Sequence, residues 1–202
     1  MPRVSRAEAQ QHRQQVIDHT SRLIREKGAE QVSVPLAMAA AGLTHGGFYR
    51  HFSSKDDLIA RALLAAFAER RQALDRLVDE HPPTGTDPAD RSARAEFLAL
   101  YLSTLHRDHP ADGCAAAGLV ADAARAEPGA PIRTAFTTGL RDLVDGFQQL
   151  TASTDDDAGT DRRTALAELS TLVGAVLLAR ASDDPALSHE ILDAARQHLD
   201  EA

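Results

Sequence analysis

The sequence predicts an all-α protein, and three observations carry that prediction. Apolar residues recur at helical rather than strand spacing along the 202 residues, and the breaks between the runs fall at Pro, Gly and Asp. Hydrophobic residues make up 43% of the chain, yet aromatics are 4% and tryptophan is absent. The core is therefore built mainly from Ala, Leu and Val, a composition that favours helices over sheets. No strand pattern and no internal repeat is present.

Taken in order, the spacing predicts nine helices. The first runs from about Arg6 to Lys27, with Val16, Thr20, Leu23 and Ile24 on one face and Gly28 at its C-terminal stop. Ser33 reads as an N-cap with Pro35 in the first turn, opening a short helix over 34–41 that Gly42 ends. Thr44 is the next N-cap, opening a segment to about His51. Ser53 or Ser54 caps a long helix from Lys55 to about Asp79, with Leu58, Ala62, Leu63, Ala66, Leu74 and Leu77 on its apolar side. Residues 80–92, EHPPTGTDPADRS, have the composition of a flexible linker. Helices follow over about 93–106, 113–126, 130–151 and 162–181, the last set off by the polar run TASTDDDAGTD. Asp184 and Pro185 start a terminal helix to about Leu199.

Charge divides the chain. The net charge of −8 alone argues against a nucleic-acid partner, because phosphate neutralisation requires Lys and Arg. Residues 1–55, however, hold eight Lys/Arg against four acids, a balance of +4, which leaves −12 on the remaining 147 residues. A small basic module on an acidic body is the expectation. The single cysteine, Cys114, excludes an intrachain disulfide and fits a reducing compartment. No signal peptide is visible, and the greasiest stretch, LVGAVLLA at 172–179, reads as too short to span a bilayer. A cytoplasmic protein is expected.

The short helix 34–41, the turn at Gly42 and the second short helix from Thr44 form a helix-turn-helix of the DNA-binding kind. Two adjacent glycines, Gly46 and Gly47, stand in the second helix, where each costs about 1 kcal/mol relative to alanine. Side chains there would hold the backbone off a duplex, and the helix N-terminus favours a phosphate. Phe48 and Phe52, four apart, can pack inward together. Tyr49, Arg50 and His51 are left facing out as phosphate or base-edge partners, and Lys55 adds a backbone contact. His45 is the residue expected to read bases, with plain phosphate contact the alternative.

Ala41, Gly42, Leu43, Thr44, Gly46, Phe48, Tyr49, His51, Phe52, Ser54, Lys55 and Leu58 together resemble the pattern that closes the N-terminal module of TetR/AcrR transcriptional regulators. Ala37 and Met38 depart from the family's large aliphatic followed by alanine, with Leu36 expected to fill the space. Gly47 stands where many members carry a larger side chain. The resemblance implies a DNA-binding domain over 1–54, with contacts from Ser33, Val34, Thr44, His45, Gly46, Gly47, Tyr49, Arg50, His51 and Lys55. It further implies a helical regulatory and dimerisation domain over 55–202. The homodimer would form through the last two helices, by Leu166, Leu169, Val173, Val176, Leu177, Ile191, Leu192, Ala195 and Leu199, with Gly174 and Ala175 permitting close approach.

The partners so implied are double-stranded operator DNA, a small-molecule effector and a second copy of the chain. The usual outcome in the family is repression. Phe97, Tyr101, Phe136, Leu140 and Phe147 either line the effector cavity or are plain core. The stretch HPADGCAAAGLVADAA loosely resembles a subgroup with Gly-Cys opening a sensor-domain helix, some members of which sense electrophiles or oxidants. Cys114 is accordingly either a thiol sensor or a small core residue. No metal site is expected: the spacing of His106, His109 and Cys114 crosses a Pro and a Gly and lacks a fourth ligand. No cofactor is expected, and an enzyme is disfavoured by the absence of a phosphate-cradling glycine loop, a nucleophile elbow or an HExxH motif. A helical protein-interaction module is the remaining alternative.

Overall fold

The computed structural model describes residues 5–81, 92–151 and 158–201, and these residues carry nine α-helices and two 3₁₀ helices with no strand. They are α1 (Arg6–Lys27), α2 (Val34–Ala40), α3 (Lys55–Glu80), α4 (Ser92–Tyr101), α5 (Thr104–Asp108), α6 (Ala115–Arg125), α7 (Pro131–Thr151), α8 (Ala158–Ala181) and α9 (Pro185–Glu201). The 3₁₀ helices are His45–Arg50 and Pro110–Asp112. Most of the expected linker, and the middle of the acidic run after α7, lie outside the described residues. The chain gathers into two compact units, one of residues 1–68 with 114–139, the other of 69–113 with 140–202.

In the first unit, local chemistry sets both ends of α1 and α2 and the start of α3. Ser5 forms a capping box with Glu8 at the start of α1. Gly28 ends the helix at φ 81°, a backbone state that other residues rarely take. Ser33 Oγ accepts the Leu36 N–H at 3.3 Å to open α2. At its other end Leu43 N–H reaches Met38 O and Gly42 N–H reaches Ala39 O around Gly42 at φ 71°, a Schellman closure. Ser54 caps α3 by accepting the Asp57 N–H at 3.0 Å, while Asp57 accepts the Ser53 N–H at 3.1 Å.

Two expectations are corrected here. Residues 45–50 wind as a 3₁₀ helix, and Thr44 stands at its N-cap without a side-chain cap bond. Leu36 is 37% exposed, and the space is filled instead by Ala37 and Met38, both buried. The core of the unit is Val16, Ile24, Met38, Phe48, Phe52, Leu58 and Leu63. On its other side the Phe67 and Phe136 rings meet edge-on at 5.6 Å, and Gly139 of α7 sits hard against Phe67.

In the second unit, the helix expected over 93–106 breaks after Tyr101. Ser103 causes the break, its hydroxyl donating to Leu100 O at 2.7 Å and accepting the His106 N–H at 3.1 Å, which ends α4 and caps α5. Further along, α8 begins at Ala158, so the last residues of the polar run are helical backbone rather than loop. The stretch Arg162–Ala181 has mean hydropathy 1.4 and is, by length and composition alone, long and apolar enough to cross a bilayer, contrary to the expectation from residues 172–179. Its apolarity has a use within the unit: α8 packs along α9, with Leu169, Leu172, Val176 and Ala179 buried. Its Glu168 makes a two-point ion pair with Arg94 of α4, at 2.8 and 3.2 Å, and Arg94 also donates to Leu199 O at 2.7 Å. One part-buried guanidinium thus joins α4, α8 and α9.

Candidate nucleic-acid interface

The helix-turn-helix consists of α2, the Gly42 turn and the 3₁₀ segment His45–Arg50, and α2 packs on both α1 and that segment. A six-residue 3₁₀ segment has nearly three residues per turn, so Phe48 is carried inward while its neighbours go out. Phe48 is fully buried and Phe52 is 2% exposed, their ring centroids 5.5 Å apart. Tyr49 is 76% exposed although its ring edge meets Phe48 at 5.1 Å, so the phenol is braced at its base and free at its tip.

Thr44, His45, Gly46 and Arg50 are exposed, as is Ser33; Val34, Gly47, His51 and Lys55 are half-buried. A Cβ on Gly46 would meet nothing within 4 Å, and one on Gly47 only Met38 Cε at 3.8 Å. The protein itself therefore gives no steric reason for either glycine.

Four residues counted as basic or outward-facing serve other ends. Arg13 donates to the His51 carbonyl at 3.1 Å and lies over the Phe52 ring at 5.4 Å, tying α1 to the end of the reading segment. Burial, then the neighbouring His12, Arg13 and Arg50 charges, push the His51 pKa below its usual value, which favours the neutral imidazole, and the residue is half-buried where an outward-facing one was expected. Arg25 is buried along α1 and donates to Ser21 O at 3.2 Å. Lys55 Nζ donates to Glu30 O at 3.2 Å. No sequence spacing signals the Arg13 contact, which spans 38 residues; the i, i+4 Ser21–Arg25 relation could have been read.

The expected effector residues separate. Phe136 belongs to the first unit, against Phe67. Phe97, Tyr101 and Phe147 cluster in the second, with Phe97 5.4 Å from Tyr101 and 5.3 Å from Phe147, all buried; Leu140 is half-buried. His106 packs edge-on to Tyr101 at 4.5 Å and its Nδ1–H donates to the Tyr101 carbonyl at 2.6 Å. A cleft of about 270 Å³ in this unit is walled by other residues, among them Arg107, Arg180 and Ser188. Cys114 stands at the N-cap of α6, as its position before an alanine run implied, but is 1% exposed. A thiol so enclosed gives an electrophile no open approach, and the sensor reading is not favoured.

The expected dimer residues divide likewise. Leu169, Val176, Leu192 and Leu199 are buried inside the unit and hold α8 and α9 together. Leu166 is exposed, and Val173, Leu177, Ile191 and Ala195 are half-buried. Leu178, at 62% exposed, joins them on the open side, and at Gly174 an added Cβ would meet nothing within 4 Å.

A helix-turn-helix head, with no strand among the described residues, is the arrangement found in DNA-binding regulators. Residues 16–62 match the family model for bacterial regulatory proteins of the tetR family. The HTH-type transcriptional regulator AcrR of Shigella flexneri is 38% identical over 60 residues, which are 30% of this chain and 28% of that relative's length. Over nearly the full chain, the fold is that of reduced NemR from E. coli, with TM-score 0.72 and 19% identity over 93% of this chain and 94% of that one. It is equally similar to a TetR transcriptional regulator from Chloroflexus aurantiacus, with TM-score 0.70 and 23% identity over 96% and 94%. The helix-turn-helix of this chain thus matches the tetR family in sequence, and nearly the whole chain matches a TetR transcriptional regulator in fold.

Proposed function

We propose that the protein is a dimeric transcriptional repressor, with residues 1–54 binding a near-palindromic operator and residues 55–202 binding a small-molecule effector that releases it. One observation carries the DNA-binding part: the reading segment buries only Phe48 and leaves Thr44, His45, Gly46, Tyr49 and Arg50 open, with glycines whose missing side chains make room for nothing in the protein. That room suits a sugar-phosphate backbone approaching the N-terminal turn.

A two-fold dimer through the open side of α8 and α9, at Leu166, Val173, Gly174, Leu177, Leu178, Ile191 and Ala195, would set two reading segments in successive major grooves. For such dimers half-sites are about 34–36 Å apart or a multiple of it. The aromatic cluster Phe97, Tyr101 and Phe147 with Leu140 is the proposed wall of the effector site. Effector and operator then weaken each other's binding by the same factor.

Selection of bound fragments from a genomic library with the purified chain tests this reading. Recovery of a palindromic site supports it, and recovery of none refutes it. On the recovered site, Tyr49→Ala should weaken binding similarly across sequences, while His45→Ala should relax base preference. Gly46→Ala, which leaves the fold untouched, should lose affinity; an unchanged affinity would remove the argument from close approach.

A further inference from the structure

We infer that Asp122 of α6 is a positioning residue for the DNA-reading head, clasping the turn between α1 and α2 together with Lys55. This inference rests on the DNA-binding reading above, and all the groups concerned lie in the first unit.

Past Gly28 the backbone leaves α1, and the first amide beyond it, that of the buried Ala29, has no intrahelical acceptor. The Asp122 carboxylate accepts that N–H at 3.2 Å across 93 residues of sequence. One residue further on, the Glu30 carbonyl accepts from the Lys55 ammonium at 3.2 Å. Two peptide groups of one turn, 28–29 and 30–31, are therefore held from two directions, by α6 on the amide side and by the first residue of α3 on the carbonyl side.

The same face of α6 makes the approach possible one turn earlier. A Cβ on Gly118 would come within 3.3 Å of both the Cα and the carbonyl oxygen of Arg25, so α6 lies directly on the backbone of the last turn of α1. Gly118 and Asp122, four apart on one face, thus read the end of α1 without touching its outward side chains. Charge makes the placement informative. A helix C-terminus disfavours an anion, so a carboxylate here is placed for its hydrogen bond rather than for the field of the helix. Arg25 and Lys27 in the last turn of α1 offset the repulsion.

The consequence is a head whose α1–α2 turn, and with it the seat of Ser33 and α2, takes its position from α6. Lys55 would serve twice, as a clasp and as a DNA contact, so Asp122 is the residue to substitute. The experiment compares full-length Asp122→Ala, Asp122→Asn and the unaltered chain by amide hydrogen exchange at Ala29 without DNA, and by affinity for the selected operator. Asp122→Ala should raise exchange at Ala29 and weaken operator binding, each by about tenfold, the scale of one lost buried hydrogen bond. Asp122→Asn, whose amide oxygen can accept the same N–H, should restore both. Unchanged exchange at Ala29 would overturn the clasp. Raised exchange with undiminished operator affinity would overturn its role in positioning. An unaltered chain that binds no DNA would instead sink the DNA-binding reading, and the exchange at Ala29 would still decide the clasp.

Discussion

Replacing Gly139 by alanine sets two effects of known size against each other. Gly139 lies inside α7, where alanine would gain about 1 kcal/mol in helix propensity. The added methyl, however, would fall on the Phe67 ring and, more tellingly, 2.8 Å from Phe67 Cβ. A ring can rotate away, but a Cβ is fixed by its backbone, so α3 and α7 must part locally by several tenths of an ångström. Phe67 is 2% exposed and already backed by Phe136, which leaves the ring little room. Overpacking costs about 1–3 kcal/mol, and a contact this short belongs in the upper part of that range, about 2–3 kcal/mol. Overpacking wins, and Gly139→Ala should lose about 1–2 kcal/mol net, a fall of roughly 2–8 °C in Tm for a chain of this size. Urea and thermal unfolding at several protein concentrations measure it, the concentrations separating folding from self-association. An alanine variant as stable as the parent would refute the reasoning.

The remaining predictions concern the second unit. Glu168→Leu should cost about 2–3 kcal/mol by removing the carboxylate partner of a part-buried Arg94 that keeps its bond to the Leu199 carbonyl, whereas Arg94→Leu with Glu168→Leu should recover most of it, as a double-mutant cycle would show. Gly174→Ala meets no atom of the chain and should stabilise the monomer by up to about 1 kcal/mol. If α8 meets its twin there, the same variant should weaken the dimer in sedimentation experiments. Burial, opposed by the hydrogen bond to Tyr101 and aided by the Arg70 and Arg180 charges, lowers the His106 pKa to about 4. The unfolded chain therefore binds this proton more readily than the folded one. The contribution of about 3 kcal/mol is fully present above pH 6.5 and is lost as pH falls toward 4. His106→Gln should flatten that limb of the stability profile.

Where a single residue's chemistry fixes a feature, the sequence was sufficient to find it. Ser33 and the stops at Gly28 and Gly42 stand where their capping and φ requirements put them, and the motif from Ala41 to Leu58 located the reading segment. Features decided between distant residues were not legible. Six residues are too few for spacing to separate a 3₁₀ from an α-helix, so the winding of 45–50 was missed. The break at Ser103 is not legible because a serine inside a helical pattern reads equally as a neutral interior residue. The two sides of α8 were confused because leucine, valine and alanine surround it, and only the packing of α9 and the Arg94–Glu168 pair shows which side is spent. The outward charge of the head was overcounted because Arg13 and Arg25 turn inward on contacts that composition does not record.

The seat that Gly118 offers to the Arg25 backbone bears on protein engineering. Consider a chimera that joins this helix-turn-helix to another protein's body at the start of α3. Here such a joint would bring in a foreign α6, whose side chain at the position of Gly118 would push against the end of α1. A chimera of this protein should therefore transfer residues 114–126 along with the head, and a foreign body grafted without them should first be given a glycine at that position.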